Sequence, residues 1–532
     1  MSLPDFIWPL HRPPLDYPRG PYPVLFAASV ARQPDRTAIV FRHQRLTYRD
    51  LDALSNALGH ALLRLGIARG DRVALFMTNR PEYVIAFLAI AKIGAVMTPL
   101  NPAYREAEVR YQLTDAGARG LIVHEALYPI VAAVRAELPE LRHVLSVGAE
   151  VPAESVDFYA ALRAAPPTPP PDAGIDPARD LLALPYSSGT TGLPKGVMLT
   201  HRNLLCNHLQ CVAAGRISSM DTLLIFLPFY HIYGSMLTGA ALAAGATQVI
   251  MERFDLAESL ALATRYGVTL YYAVPPVVLA LAGAQAEALG RAFAQVRYVM
   301  SGAAPLAPEL ARRAAAVTAT MILQGYGLTE AAPLTHLSPV DDPGLVVPES
   351  IGVAVPDLED RIVDLESGAH TLGPGEVGEL VVRGPQVMQG YWHAPEETAR
   401  ALHGDWLYTG DVARRDARGY VTIVDRKKEM IKYKGFGIAP AELEATLFEH
   451  PAVADCAVVG KPDAEAGEIP KAFVVVHAGA TLRAEEILGF VAGRVAGYKK
   501  IREVEFIDAI PKNPSGKVLR RVLRERTQGG TP

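Results

Sequence analysis

Tyr186-Ser187-Ser188-Gly189-Thr190-Thr191-Gly192-Leu193-Pro194-Lys195-Gly196 combines four aliphatic hydroxyls, three glycines and one lysine in eleven consecutive residues. Glycines let backbone N–H groups approach a ligand closely, and hydroxyls and an ammonium add further donors. That is the chemistry of a loop wrapping polyphosphate. The run is not a P-loop, because Pro194 stands where the second glycine should be and Gly196 follows Lys195 where a hydroxyl is needed. Leu181-Leu182-Ala183-Leu184 and Val197-Met198-Leu199 flank it as short strands, so the spacing predicts a hairpin loop rather than a strand-to-helix turn. A plain surface loop is the alternative.

Outward from this loop, the chain alternates strand and helix. Thr37–Phe41, Arg72–Phe76, Ala95–Leu100 and Gly120–Val123 read as strands. Tyr48–Leu65, Pro81–Ile93 and Glu106–Ala116 read as helices, the second opened by proline in its first turn. This is a doubly wound α/β layout. Six prolines between Arg163 and Ala178 make a stiff connector into the opening loop, and seven in residues 1–23 predict an extended start. A second α/β run spans 203–325, followed past about 340 by short strands with Gly/Pro turns. The expected architecture is α/β: a large N-terminal domain (1–425) of doubly wound α/β subdomains with a small β-rich subdomain, then a small mobile α+β domain (426–532).

Half of the 532 residues are apolar and a fifth charged, with a net charge of −4. That balance argues against nucleic acid held by bulk electrostatics. Cys206, Cys211 and Cys456 lack CxxC spacing and predict no disulfide framework. His201, Cys206, His208 and Cys211 cannot all face one ion from one helix. Thr222–Met251 carries no Asp, Glu, Lys or Arg, yet its proline, histidine and glycines predict strand, turn and buried helix rather than an integral membrane segment. With neither a signal peptide nor a retention tag visible, the expected location is cytoplasmic.

Five further stretches follow the loop in order: Pro228-Phe229-Tyr230-His231-Ile232-Tyr233-Gly234, Ser301-Gly302-Ala303-Ala304-Pro305-Leu306, Gln324-Gly325-Tyr326-Gly327-Leu328-Thr329-Glu330, Tyr408-Thr409-Gly410-Asp411 running on to Asp425-Arg426-Lys427-Lys428, and Pro511-Lys512-Asn513-Pro514-Ser515-Gly516-Lys517. Together the six resemble the adenylate-forming enzymes: acyl-CoA synthetases, 4-coumarate–CoA ligases, luciferases and peptide-synthetase adenylation domains. The resemblance covers nearly the whole chain.

It implies ATP, Mg²⁺ and coenzyme A, and a carboxylic acid converted to an acyl-adenylate and then a thioester. By resemblance, the loop from Ser187 through Ser188, Gly189, Thr190, Thr191 and Gly192 to Lys195 holds the β- and γ-phosphates. Glu330 and Thr190 ligate Mg²⁺ through oxygen, the donor this ion prefers. Tyr326 offers a face to adenine, Gly302, Ala303 and Gly325 leave room for the base, Gln324, Gly327 and Thr329 are further nucleotide contacts, and Asp411 takes the ribose with Arg426 supporting it. Lys517 bridges the acyl carboxylate and the α-phosphate, Lys428 is the hinge, and Lys432 is presented for the thioester step after domain rotation. His231 borders the acyl carboxylate and gates the thiol path. Where many relatives read Lys-Gly-Phe-Gln, this chain has Lys434-Gly435-Phe436-Gly437, and no role is carried over to Gly437.

No acidic residue lies between Phe229 and Ala241, which disfavours an amino-acid substrate, because a buried ammonium would lack a partner. The fifteen residues after Lys517 predict free CoA rather than a carrier domain as acceptor. Ile232, Tyr233, Ser235, Met300, Ala303, Pro333 and Leu334 form the expected acyl pocket, apolar with small residues on one side. A medium- or long-chain fatty acid is the first expectation. An aryl acid such as 4-coumarate is the alternative, and an adenylating or luciferase-like enzyme without CoA the second. A homodimer is compatible with any of these.

Overall fold

The computed structural model describes Leu10 and residues 12–527 apart from 188–192, 435, 464 and 513–516. Two sheets with parallel interiors dominate the large part. In one of nine strands, Met321–Gly327, Tyr298–Ser301, Leu270–Ala273, Thr222–Ile225, Thr247–Ile250 and Thr37–Phe41 lie side by side and parallel. Antiparallel strands close both of its edges. In the second, of seven strands, Val96–Pro99, Arg72–Phe76, Ala118–His124 and His143–Val147 are parallel. The strands are short apolar runs because helices cover both faces.

Local sequence starts the helices. Thr47 and Asp50 form a reciprocal capping box for Tyr48–Arg64, and Thr200 and Asn203 do the same for His201–Gly215. The helix Pro81–Lys92 is buried from Pro81 through Ala91. Its sequence, apolar on every side, suits a central position. One continuous core joins both sheets through it, and each buried large side chain such as Phe87 or Leu88 contributes about 1.5–3 kcal/mol.

An antiparallel sheet of five strands, including Val377–Arg383, Trp406–Arg415 and Val421–Arg426, follows as the β-rich part. A last sheet contains Ile431–Tyr433, the long hairpin Val453–Asp463/Gly467–Val476 and Glu503–Phe506. Helices Pro440–Phe448 and Ala484–Ala492 pack on it around a separate core centred on Leu443, Val458, Val474 and Ile487. The architecture is the expected mixed α/β one.

Thr222–Met251 forms strand, helix Ile232–Ala244 and strand Thr247–Ile250. Among the described residues, no helix is long and apolar enough to cross a membrane. The segment 12–17 lies on the large part, with Arg12 donating to the carbonyls of Leu337, Val353 and Ala354 and Tyr17 to Asp357. The hairpin around the opening loop differs in detail from expectation. Its innermost ladder pairs Tyr186–Ser187 with Lys195–Gly196, while Leu181–Ala183 pairs separately with Leu199–Thr200. Pro185, without an N–H, interrupts the first strand between the two ladders.

Candidate active site

The nine-stranded sheet reverses its strand order beside Thr222–Ile225: the next strand in sequence lies on one side and Leu270–Ala273 on the other. In open α/β sheets, the crevice at such a switch, off the carboxyl ends of the strands, is where ligands bind. A cleft of about 990 Å³ opens here. Part of its wall comes from segments that leave those strand ends: Leu227–Pro228, Tyr230–Gly234, Val274, Gly302–Ala303 and Gly325–Glu330.

The loop 227–231 is held from the central helix and from the turn just before it. Asn79 donates from Nδ2 to Leu227 O at 2.9 Å and accepts from Phe229 N–H at 2.8 Å, and Tyr83 Oη donates to Phe229 O at 2.9 Å. Gly234 lets the following helix start directly against this loop, because a Cβ there would lie 2.3 Å from Pro228 O. His231 caps that helix, its Nδ1 accepting from Tyr233 N–H at 3.2 Å. The proton therefore sits on Nε2. Burial, with the charge of Lys517 as a lesser cause, holds the imidazole down to about 4, so it is neutral near pH 7.

The cleft brings together Ser187, Lys195, His231, Gly302, Ala303, Gly325, Tyr326, Gly327, Thr329, Glu330, Arg426, Lys428 and Lys517, which lie up to three hundred and thirty residues apart in sequence. Gly327 permits a close approach of two backbones, since a Cβ would stand 2.2 Å from Pro333 O. Asp411 is reached through two neighbours. Tyr326 Oη donates to its Oδ2, and Arg426 Nε donates to its Oδ1 at 2.7 Å. Tyr326 and the aspartate thus form one rigid unit, and each carboxylate oxygen keeps a further acceptor site. Burial and Asp411 push the Tyr326 hydroxyl far up, so it stays a donor. Glu330 Oε1 accepts from Ser187 Oγ at 3.0 Å and from Tyr391 Oη at 2.9 Å.

Lys517 comes from the small part of the chain and lies in the cleft wall. Burial lowers its pKa, Arg426 adds to the lowering, and Asp411, Glu429 and Glu330 oppose it. Lys432 lies elsewhere: its side chain is exposed, outside the cleft, and its N–H donates to Glu468. Ser188, Gly189, Thr190, Thr191 and Gly192 lie outside the described residues.

Two expected positions are corrected. Gln324 is not in the cleft wall, because its amide spans Pro348 O and Leu306 N–H and so ties strand to loop. Ser235 is also absent from the wall, since the helix beginning at Ile232 turns Tyr233 and Met236 inward and Ser235 off that face. The inner end of the cleft holds Ile232, Tyr233, Met300, Pro333 and Leu334, and with them Cys211 and Tyr272. Burial raises the Cys211 thiol to about 12, so it is an inert apolar wall. Asn79, Tyr83, Tyr272, Tyr391 and Glu397 had no motif to announce them. Only the Gly-Tyr-Trp run ahead of the Pro395-opened helix could have marked Tyr391.

For Mg²⁺, the donor set here is oxygen only. The Glu330 carboxylate with the hydroxyls of Ser187 and Tyr391 fits a hard cation that completes its shell with phosphate and water.

The family model described as AMP-binding enzyme matches residues 26–392, and the one described as AMP-binding enzyme C-terminal domain matches 442–517. 4-Coumarate–CoA ligase 5 of Oryza sativa subsp. japonica is 40% identical over 543 aligned positions, covering 100% of this chain and 97% of the relative. The structure of ATP-bound MatB from Rhodopseudomonas palustris superposes with a TM-score of 0.87 at 32% identity, over 94% of this chain and 98% of that one. The anthranilate–CoA ligase AuaEII in complex with anthranoyl-AMP gives 0.87 at 28% identity, over 96% and 97%. The chain belongs to the AMP-binding enzyme family. It is an adenylate-forming acid–thiol ligase of the acyl-CoA ligase type, a class that uses ATP, Mg²⁺ and coenzyme A.

Proposed function

We propose that the acid is an aryl acid of the 4-coumarate type, converted to its CoA thioester through an aryl-acyl adenylate. The likeness along the whole chain to a 4-coumarate–CoA ligase carries this reading. The inner cleft agrees with it. Tyr233 and Tyr272 offer flat ring faces and Met300, Leu334 and Cys211 apolar contact, and none of the five bears a charge. The expectation of a fatty acid gives way to its alternative on these grounds.

In this proposal the carboxylate lies between neutral His231 and the Lys517 ammonium. It attacks the α-phosphate of ATP, and the bond to pyrophosphate breaks. Lys517 offsets negative charge as it builds on the transferring group. Ser187 and Lys195 take the outgoing phosphates, Tyr326 flanks adenine, and Asp411 accepts from the ribose. Mg²⁺, when held beside Glu330, neutralises part of the triphosphate charge. The small domain then rotates about Lys428 to replace Lys517 with the Lys432 face, and the CoA thiol displaces AMP. A domain boundary near 426 is supported by sheet membership, since Val421–Arg426 pairs with the large part and Ile431–Tyr433 with the small.

A panel of cinnamic, benzoic, and medium- and long-chain fatty acids, scored for AMP release with and without CoA, tests this. Cinnamic-type acids with CoA should turn over best. Preference for fatty acids would overturn the aryl reading, and AMP release indifferent to CoA would favour a stand-alone adenylating enzyme.

A further inference from the structure

Lys195 ends the inner ladder of the hairpin, paired with Ser187, and its ammonium faces the cleft. Glu397 meets it from the first turn of the helix Pro395–Ala401, with Oε2 2.6 Å from Nζ. The other oxygen of Glu397 accepts from Arg400 Nη1 at 2.9 Å, one turn along the same helix. All three side chains line the cleft. Tyr391 carries its ring 5.7 Å from the same ammonium, and its hydroxyl donates to Glu330. A carboxylate therefore occupies the cation assigned above to the outgoing phosphates, beside the carboxylate assigned to Mg²⁺.

A triphosphate reaching Lys195 meets the Glu397 carboxylate as a like charge on the same ammonium, and in this part-exposed position the two anions weaken each other's hold on it. Arg400 gives Glu397 a second partner, so the carboxylate can leave Lys195 without losing charge compensation. The pair is part-exposed, with side-chain accessibilities of 23% for Lys195 and 34% for Glu397, so exchange does not require the core to open.

We propose that Glu397 is a positioning residue that exchanges with the terminal phosphates on Lys195. It holds the ammonium in place before ATP arrives, yields it to the triphosphate, and returns to it as pyrophosphate leaves. This rests on Lys195 being a phosphate contact, and not on which acid is activated. A part-exposed competing ion pair is worth a factor of about two to five in affinity.

Titration calorimetry of the full chain with inorganic pyrophosphate, Mg-ATP and AMP reads this without any acid or turnover. Glu397→Gln, and independently Glu397→Ala, should bind pyrophosphate and ATP about two- to fivefold more tightly at low salt, with AMP unchanged. The gain should vanish in a Lys195→Met background, and pyrophosphate should become a stronger product inhibitor by the same factor. Unchanged or weaker pyrophosphate binding in both Glu397 variants would overturn the exchange. So would an equal gain for AMP, a gain that survives loss of Lys195, or unaltered product inhibition. A wrong assignment of the acid would show instead in the substrate panel and leave the calorimetry intact.

Discussion

Replacing Lys517 by alanine should separate the two half-reactions. Its ammonium lies in the cleft wall, sheltered enough that burial lowers its pKa, in the combined field of Arg426, Asp411, Glu429 and Glu330. Arg426 and Lys428 remain on the same wall in the variant, so the loss is that of one positioned donor rather than of all positive charge. Removing one such donor from developing oxyanion charge costs about 10²–10³-fold, or about 2.7–4 kcal/mol. That loss should fall on single-turnover adenylate formation, followed by pyrophosphate release. Conversion of supplied acyl-adenylate and CoA to thioester should stay near the wild-type rate, because the proposed rotation takes Lys517 out of the site before that step. Lys432→Ala should show the reverse. Its side chain is exposed and outside the cleft in this arrangement, so adenylation should change by no more than about twofold, as for a surface substitution, while thioester formation falls. Equal losses in both half-reactions for both variants would refute the exchange of lysines by domain rotation.

Two other substitutions probe the scaffold. Tyr83→Phe removes the hydroxyl that holds Phe229 O, costing about 1 kcal/mol of stability, and should raise KM for the acid severalfold by loosening the segment that carries His231; an unchanged KM would show that this bond does not position the loop. Asp425 is buried next to the junction, accepting from Arg426 N–H and Ala441 N–H, and burial raises its carboxyl from 3.8 to about 6. With the folded pKa above the unfolded one, its stabilising contribution is complete below about pH 4 and is lost as pH rises through about 6. Asp425→Asn should therefore gain stability relative to wild type between pH 4 and 8, by roughly 2–3 kcal/mol, as followed by urea unfolding; a difference that does not change with pH would contradict the burial argument.

The α/β layout was legible because it is written locally. Arg72–Phe76, Pro81–Lys92 and Tyr48–Arg64 each carry their own periodicity and start signals, so their existence needs no distant partner. The six motifs were legible for a related reason: each is a contiguous run whose backbone must pass close to a ligand. Membership of a motif did not fix the direction of a side chain. Gln324 lies inside such a run and Ser235 directly follows one, yet the first binds a carbonyl at Pro348 and the second leaves the pocket face of its helix.

By itself the sequence determined the alternation of elements, the hydroxyl- and glycine-rich loop, and the pool of charged side chains available to a phosphorylated substrate. Only the tertiary structure decided which of these meet. Tyr391 finds Glu330 across 61 positions, Tyr83 finds Phe229 O across 146, and Glu397 finds Lys195 across 202. Such pairs leave no periodic trace, because their geometry comes from the packing of two sheets and a helix around one cleft. The same holds for Lys517, whose place beside Arg426 and His231 depends on how the last sheet is set against the large part.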